Sequence, residues 1–275
     1  MRALLAALML AGCGQAGDAV PPSIPPRPVI VSLNPCTDAV LVEVADPRQI
    51  AALSHWSRDP AASSIPQATA RRFGVTGGTV EEVLALKPDL VLASTFIDPA
   101  TRNALGELGV PVETFGIAAT LAESEDQVRR IAALAGDLPA GERLIARMRA
   151  ALDAATPEPG ERPVDTVFWQ PGGIVPGQGT LITDLLERTG FANGASARGY
   201  AQANYLLLEE VVVNPPELLL VAGSEAGQVH PLLDRLEQTR RERFDPSLLY
   251  CGGPTVIRAA AYLGALRRSM VEERR

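Results

Sequence analysis

The chain of 275 residues writes one short segment twice: Thr79–Ala93 returns, 128 residues later, as Leu207–Val221. Glu81 aligns with Glu209, Glu82 with Glu210, Val83 with Val211, Pro88 with Pro216, Asp89 with Glu217, Leu90 with Leu218 and Leu92 with Leu220. Each copy reads as a short helix begun by acidic residues, a proline stop and a buried strand. A unit repeated at that distance predicts two similar α/β lobes in one chain. The cleft between two lobes is where a small ligand binds.

The first residues read as an address rather than as part of the fold. Met1-Arg2 precedes the apolar run Ala3–Leu10, which is far shorter than the roughly 20 residues that span a bilayer. Leu10-Ala11-Gly12-Cys13 has the shape of a bacterial lipobox. It predicts a lipoprotein signal peptide over 1–12 and lipid attachment at Cys13; an ordinary secretory signal with a chance cysteine is the competing reading. Residues 13–28, rich in proline, glycine and alanine, predict an extended tether. The expected location is the periplasm or the outer face of the cytoplasmic membrane, with the protein anchored at Cys13.

About 245 residues remain, enough for two domains with cores of their own. The formal charge is −7, and −8 once Arg2 leaves with the signal. That balance gives no electrostatic case for nucleic acid. Cys36 and Cys251 are the two cysteines left after lipidation. In an oxidising compartment a disulfide is the favoured reading, with two free thiols lining a pocket as the alternative. Two histidines, His55 and His230, are too few for a transition-metal site without carboxylate or thiolate help, so neither a metal nor a cofactor is expected.

Periodicity predicts a strand at 29–33, a helix from Thr37 or Asp38 to Val44, and a second strand at 50–53. A long polar connection, 54–78, leads into the first repeat copy, with its helix at 80–86 and strand at 90–93. A helix at 99–108 and a strand at 109–115 follow. Two helical stretches come next, 121–134 and 140–155; Leu144, Ile145, Met148 and Leu152 fall on one face of the second, a rod of roughly 24 Å. Beyond a Pro- and Glu-rich boundary lie a strand at 164–169, a glycine-rich loop at 171–179 and a helix at 180–189. After the second repeat copy come a helix near 231–238, a last strand near 247–250 and a terminal helix at 256–268. Strands alternating with helices predict mostly parallel sheets covered on both faces. The expected organisation is an N-terminal lobe at 29–118, a helical connector at 119–156 and a C-terminal lobe at 163–275.

At this level the chain resembles the cobalamin/siderophore/haem type of substrate-binding protein of bacterial ABC importers. The resemblance is carried by Pro28–Pro35, by Glu81–Ala93 with its Leu86-Lys87-Pro88-Asp89-Leu90-Val91-Leu92 core, and by the run from Gly177-Gln178-Gly179-Thr180-Leu181 to Asn193. It implies two lobes joined by a single rigid backbone helix, with the ligand held between them. It implies, too, that an acidic residue at the start of the repeated helix on each lobe docks onto arginines of the importer's membrane subunits. Glu81 and Glu209 hold those positions. Two glutamates in a first turn also simply favour the helix dipole, by ~0.3–1 kcal/mol when exposed.

In such a fold the ligand meets the carboxyl ends of the strands. The candidates there are Asn34, Cys36, Trp56, Arg58 and Phe96 on the first lobe, and Trp169, Gln170, Tyr200, Tyr205 and Tyr250 on the second. Aromatic residues make up only 4% of the chain, and both tryptophans fall at strand ends, which suits a flat ligand. Core packing is the blander reading of each tryptophan, and a solvated guanidinium that of Arg58. The expected cargo is cobalamin or another corrinoid, a ferric siderophore or haem, delivered to an ABC importer. Two other readings use the same two-lobe fold: a surface lipoprotein and a carboxylate-based enzyme. An enzyme finds little support, because no Gly-x-Ser-x-Gly elbow occurs and Gly177-Gln178-Gly179 lacks the lysine of a phosphate loop.

Overall fold

The computed structural model describes residues 24–60, 62–223, 228 and 230–274. The expected signal segment, Cys13 and most of the tether lie outside the described residues. Two parallel sheets organise the rest. The first is built from β1 (Ile30–Ser32), β2 (Ile50–Ser54), β3 (Val75–Thr76), β4 (Leu90–Ser94) and β5 (Val112–Phe115) in the order β3-β2-β1-β4-β5. Around it lie α1 (Pro35–Val44), α2 (Gln67–Ala70), α3 (Val80–Ala85) and α4 (Pro99–Glu107). The second sheet contains β6 (Val164–Trp169), β8 (Phe191–Asn193), β10 (Leu218–Ala222) and β11 (Arg240–Phe244) in the order β11-β10-β6-β8. Around that sheet are α7 (Leu181–Arg188), α8 (Gly194–Ala197) and α9 (Leu208–Val213), with a small antiparallel ribbon of β7 (Ile174–Val175) and β9 (Asn204–Tyr205). Between the sheets run α5 (Leu121–Ala135) and α6 (Leu138–Asp153), and α10 (Pro254–Glu273) closes the chain.

Successive residues of each central strand point to opposite faces, and the core divides accordingly. Ile30, Leu90 and Leu92 pack on one side of the first sheet, while Val31 and Val91 pack on the other against Val83 of α3 and Leu105 of α4. In the second sheet Phe168, Leu218 and Leu220 take one side, and Val167, Leu219 and Val221 the other. The inner faces belong to one continuous cluster that also contains Val128 and Ile131 of α5, Leu144, Ile145, Met148 and Leu152 of α6, and Val256 and Leu263 of α10. The two lobes therefore share a helical seam with an apolar interior. An interface of that kind resists relative motion of the lobes.

The repeat is real in three dimensions. α3 and α9 each bury a single residue, Val83 and Val211, and each leads into a strand that pairs with the first strand of its lobe. Asp89 and Glu217 then do the same work. The Asp89 carboxylate accepts from the Val29 N–H at 2.8 Å, and Glu217 accepts from the Asp165 N–H at 3.4 Å. Glu217 also takes both terminal nitrogens of Arg162 at 2.5 and 2.9 Å, which holds its carboxyl below the usual carboxylate range.

Three expectations need correction. The last strand is Arg240–Phe244, not 247–250: it is an edge strand paired only with β10, with Arg241 and Arg243 exposed on one face and Arg240 and Glu242, bonded to each other, half-buried on the face that carries the buried Phe244. Residues 247–248 lie in a 3-10 turn, Pro246–Leu248, capped by the Asp245 carboxylate, and 249–250 follow it. The helix expected near 231–238 is a short 3-10 turn, Pro231–Arg235, capped by His230. The stretch 54–78, expected as one long polar connection, contains α2, β3 and a 3-10 turn, His55–Arg58.

Candidate ligand-binding cleft

In a parallel sheet every strand hands over to its helix at the carboxyl end of the sheet, so the first turn of each helix marks that end. Three contacts join such ends, two from the start of the connector to the second lobe and one directly between the lobes. The Leu121 N–H at the start of α5 donates to the Asp184 carboxylate in the first turn of α7 at 2.8 Å. Ser124 Oγ accepts from the Gly253 N–H, just ahead of α10, at 2.8 Å. Cys36, in the first turn of α1, is bonded to Cys251 as a disulfide, with Cα atoms 5.0 Å apart. The carboxyl ends of the two sheets consequently face each other.

Large apolar side chains are exposed along those ends. On the first lobe Trp56 is 46% exposed, Phe96 77% and Ile117 75%; on the second Tyr205 is 71% exposed and Tyr250 54%. Each sits in or just past a strand or turn at the facing ends. Exposed apolar side chains at facing strand ends make this the candidate ligand surface. The His55 and Trp56 rings stack with centroids 4.4 Å apart. Ile117 was absent from the sequence reading; like Phe96 it stands two residues past the end of its strand, a rule that would have found it.

The other expected residues are placed differently. Asn34 caps α1, its side-chain oxygen accepting from the Cys36 N–H at 2.8 Å. Arg58 is exposed and donates to the Phe73 carbonyl at 2.7 Å. Trp169 is buried in the outer core of the second lobe with Val175, Leu206 and Val211, so the core-packing reading describes it. Its indole N–H has no partner among the described residues. Gln170 is half-buried, and Tyr200 packs half-buried against that same core while its carbonyl accepts from the Gln178 N–H at 2.8 Å. Of the expected aromatic residues, those left exposed are Trp56 and Phe96 on the first lobe and Tyr205 and Tyr250 on the second.

Asp38, read from the sequence only as a possible helix start, lies inside α1, which begins at Pro35. Asp38 is fully buried and accepts from Ser54 Oγ at 2.5 Å, Ser57 Oγ at 2.6 Å and the Ser54 N–H at 3.1 Å. Burial pushes its carboxyl up to about 6, against the opposing pull of those serine hydrogen bonds. On the outer surface Glu81 and Glu209 are exposed in the first turns of α3 and α9, and neither carboxylate has a hydrogen bond or ion pair among the described residues. Their neighbour Glu82 differs: it accepts from Thr76 Oγ1 and the Gly77 N–H, and is held below the usual range by them. The described residues contain no group of three or more metal-ligating side chains and no helix long and apolar enough to cross a membrane.

Two parallel α/β lobes with facing strand ends, an apolar rim and a helical seam define a two-lobed binding protein. The family profile described as periplasmic binding protein matches residues 30–241, and the chain belongs to that family. A curated relative, the cobalamin-binding protein of Halobacterium salinarum, is 27% identical over 226 residues. The match covers 79% of this chain and 58% of that relative, so the chain spans well under two thirds of its length. Among solved structures, the haem-binding protein RhuT of Roseiflexus sp. RS-1 superposes with a TM-score of 0.71 at 21% identity, covering 88% of this chain and 98% of that one. The haem-binding protein HutB of Vibrio cholerae gives 0.72 at 18%, covering 86% and 97%. The vitamin B12 binding protein BtuF of Vibrio cholerae gives 0.65 at 17%, covering 87% and 96%. At those identities the likeness is one of fold.

Proposed function

We propose that this chain is an extracytoplasmic solute-binding lipoprotein, lipid-anchored at Cys13, that delivers a bulky metal chelate to an ABC importer. The cargo is a corrinoid such as cobalamin, a ferric siderophore or haem. One observation carries the reading: the facing strand ends present Trp56, Phe96, Ile117, Tyr205 and Tyr250 to solvent, while each lobe holds an unpaired glutamate, Glu81 or Glu209, on its outer helix. Aromatic faces suit a broad, flat ligand, and two carboxylates on related helices suit a partner with two related subunits. The cobalamin-binding relative and the haem- and B12-binding neighbours agree with that chemistry.

Binding is non-covalent and involves little lobe closure, because the seam of α5, α6 and α10 has an apolar interior shared by both lobes. The test is a panel of cyanocobalamin, haemin and ferric catecholate and hydroxamate siderophores, titrated against the purified protein and read by tryptophan fluorescence quenching. Saturable quenching by one class is expected. Failure of every class to bind overturns the proposal.

A further inference from the structure

We propose that the first turn of α1 is the positioning element of the cleft. Cys36 fixes Tyr250 from the second lobe and Asp38 fixes Trp56 from the first, so one helical turn sets the spacing of the two aromatic side chains. The inference rests on the binding-protein reading and names residues that act through others rather than by touching ligand.

The 3-10 turn His55–Arg58 that carries Trp56 has no side-chain cap of its own. Asp38 supplies the restraint instead: it grips Ser54 before the turn and Ser57 within it, so His55 and Trp56 lie between two anchored serines. The turn holding Asp38 is itself locked. Ser32 Oγ and Thr37 Oγ1 are hydrogen-bonded at 2.7 Å, and Thr37 Oγ1 donates to the Asn34 carbonyl at 2.9 Å.

On the opposite side, Tyr250 is followed by Cys251, Gly252 and Gly253, a run with little stiffness of its own. The Tyr250 side chain has no hydrogen-bond partner among the described residues, and the Cys36 sulfur lies 3.5 Å from its carbonyl oxygen. Two links tie the segment after Tyr250 down, the disulfide from Cys251 to Cys36 of the first lobe and the Gly253 N–H bond to Ser124 Oγ of α5, and the disulfide is the nearer to Tyr250. Side chains held in place before the ligand arrives lose less freedom on binding, which slows dissociation.

Amide hydrogen exchange of the full chain without ligand tests the geometry. Asp38→Asn and the milder Ser57→Ala are expected to speed exchange at residues 54–58 at least tenfold. The double change Cys36→Ser with Cys251→Ser is expected to do so at 249–252 and leave 54–58 protected. Amides of β6 and β10 stay at wild-type rates in all three. Wild-type protection at 54–58 in both of the first two variants, or acceleration spread evenly to β6 and β10, overturns the proposal. Stopped-flow dissociation of cyanocobalamin and haemin supplies the second reading, with release at least tenfold faster in each variant expected and unchanged release counting against it. If the wild type binds neither probe, the functional proposal loses that support, and the exchange rates alone decide the positioning role.

Discussion

Leu121 of α5 and Asp184 of α7 meet where the connector joins the second lobe, the backbone N–H of one donating to the carboxylate of the other at 2.8 Å. Asp184 is also bonded to Arg188 one turn further along its helix at 2.8 Å. The carboxylate is half-buried, so its loss leaves the Leu121 N–H without its partner. Asp184→Ala is expected to lower unfolding free energy by about 1–2 kcal/mol in urea titrations. Asp184→Asn, which keeps an acceptor oxygen, should recover part of that loss.

Glu81 and Glu209 make no bond that a substitution would break, and surface changes of that kind shift stability by no more than about 0.5 kcal/mol. Glu81→Ala combined with Glu209→Ala should leave thermal unfolding and ligand affinity at wild-type levels. Cargo uptake by cells or importer-containing vesicles should fall at least tenfold. Uptake at the wild-type rate would remove these residues from the docking proposal.

Asp38 should give the protein a stability that declines with rising pH. Its folded carboxyl stands at about 6 and its unfolded one near 3.8. The folded state therefore holds the proton more tightly. The contribution is fully present below pH 3.8 and is lost as pH rises through 6. The shift of about two pK units corresponds to about 3 kcal/mol at most. The difference in urea stability between wild type and Asp38→Asn, followed from pH 4 to pH 7, should move by an amount of that order against the wild type. A difference that does not change with pH would sink the assignment.

Gly177 has no room for a side chain, since a β-carbon there would lie 2.1 Å from both the Tyr200 and the Ala201 carbonyl oxygens. Backbone, not a movable side chain, is what it would strike. Gly177→Ala should cost about 1–3 kcal/mol and displace the segment that leads to Tyr205. Calorimetry would register the first effect, and weakened binding of the cargo the second.

Sequence by itself determined the two-lobe α/β plan, because parallel strands buried on both faces must be written as apolar runs, and the runs at 90–94 and 218–222 sit in copies of one segment. It also placed Glu81 and Glu209 at matching helix starts and put Trp56 and Phe96 just past strand ends, whereas the strand expected to end at Tyr250 is absent there. Tertiary structure decided what local pattern cannot encode. The edge strand Arg240–Phe244 is charged because one of its sides meets no neighbour, and Trp169 is a core residue because the β7–β9 ribbon and α9 cover it. The pairing of Cys36 with Cys251, 215 residues apart, and the burial of Asp38 under the turn that carries Trp56 depend on how the lobes are assembled. Periodicity reports which face of an element is apolar; which element lies against that face is set by packing over the whole chain.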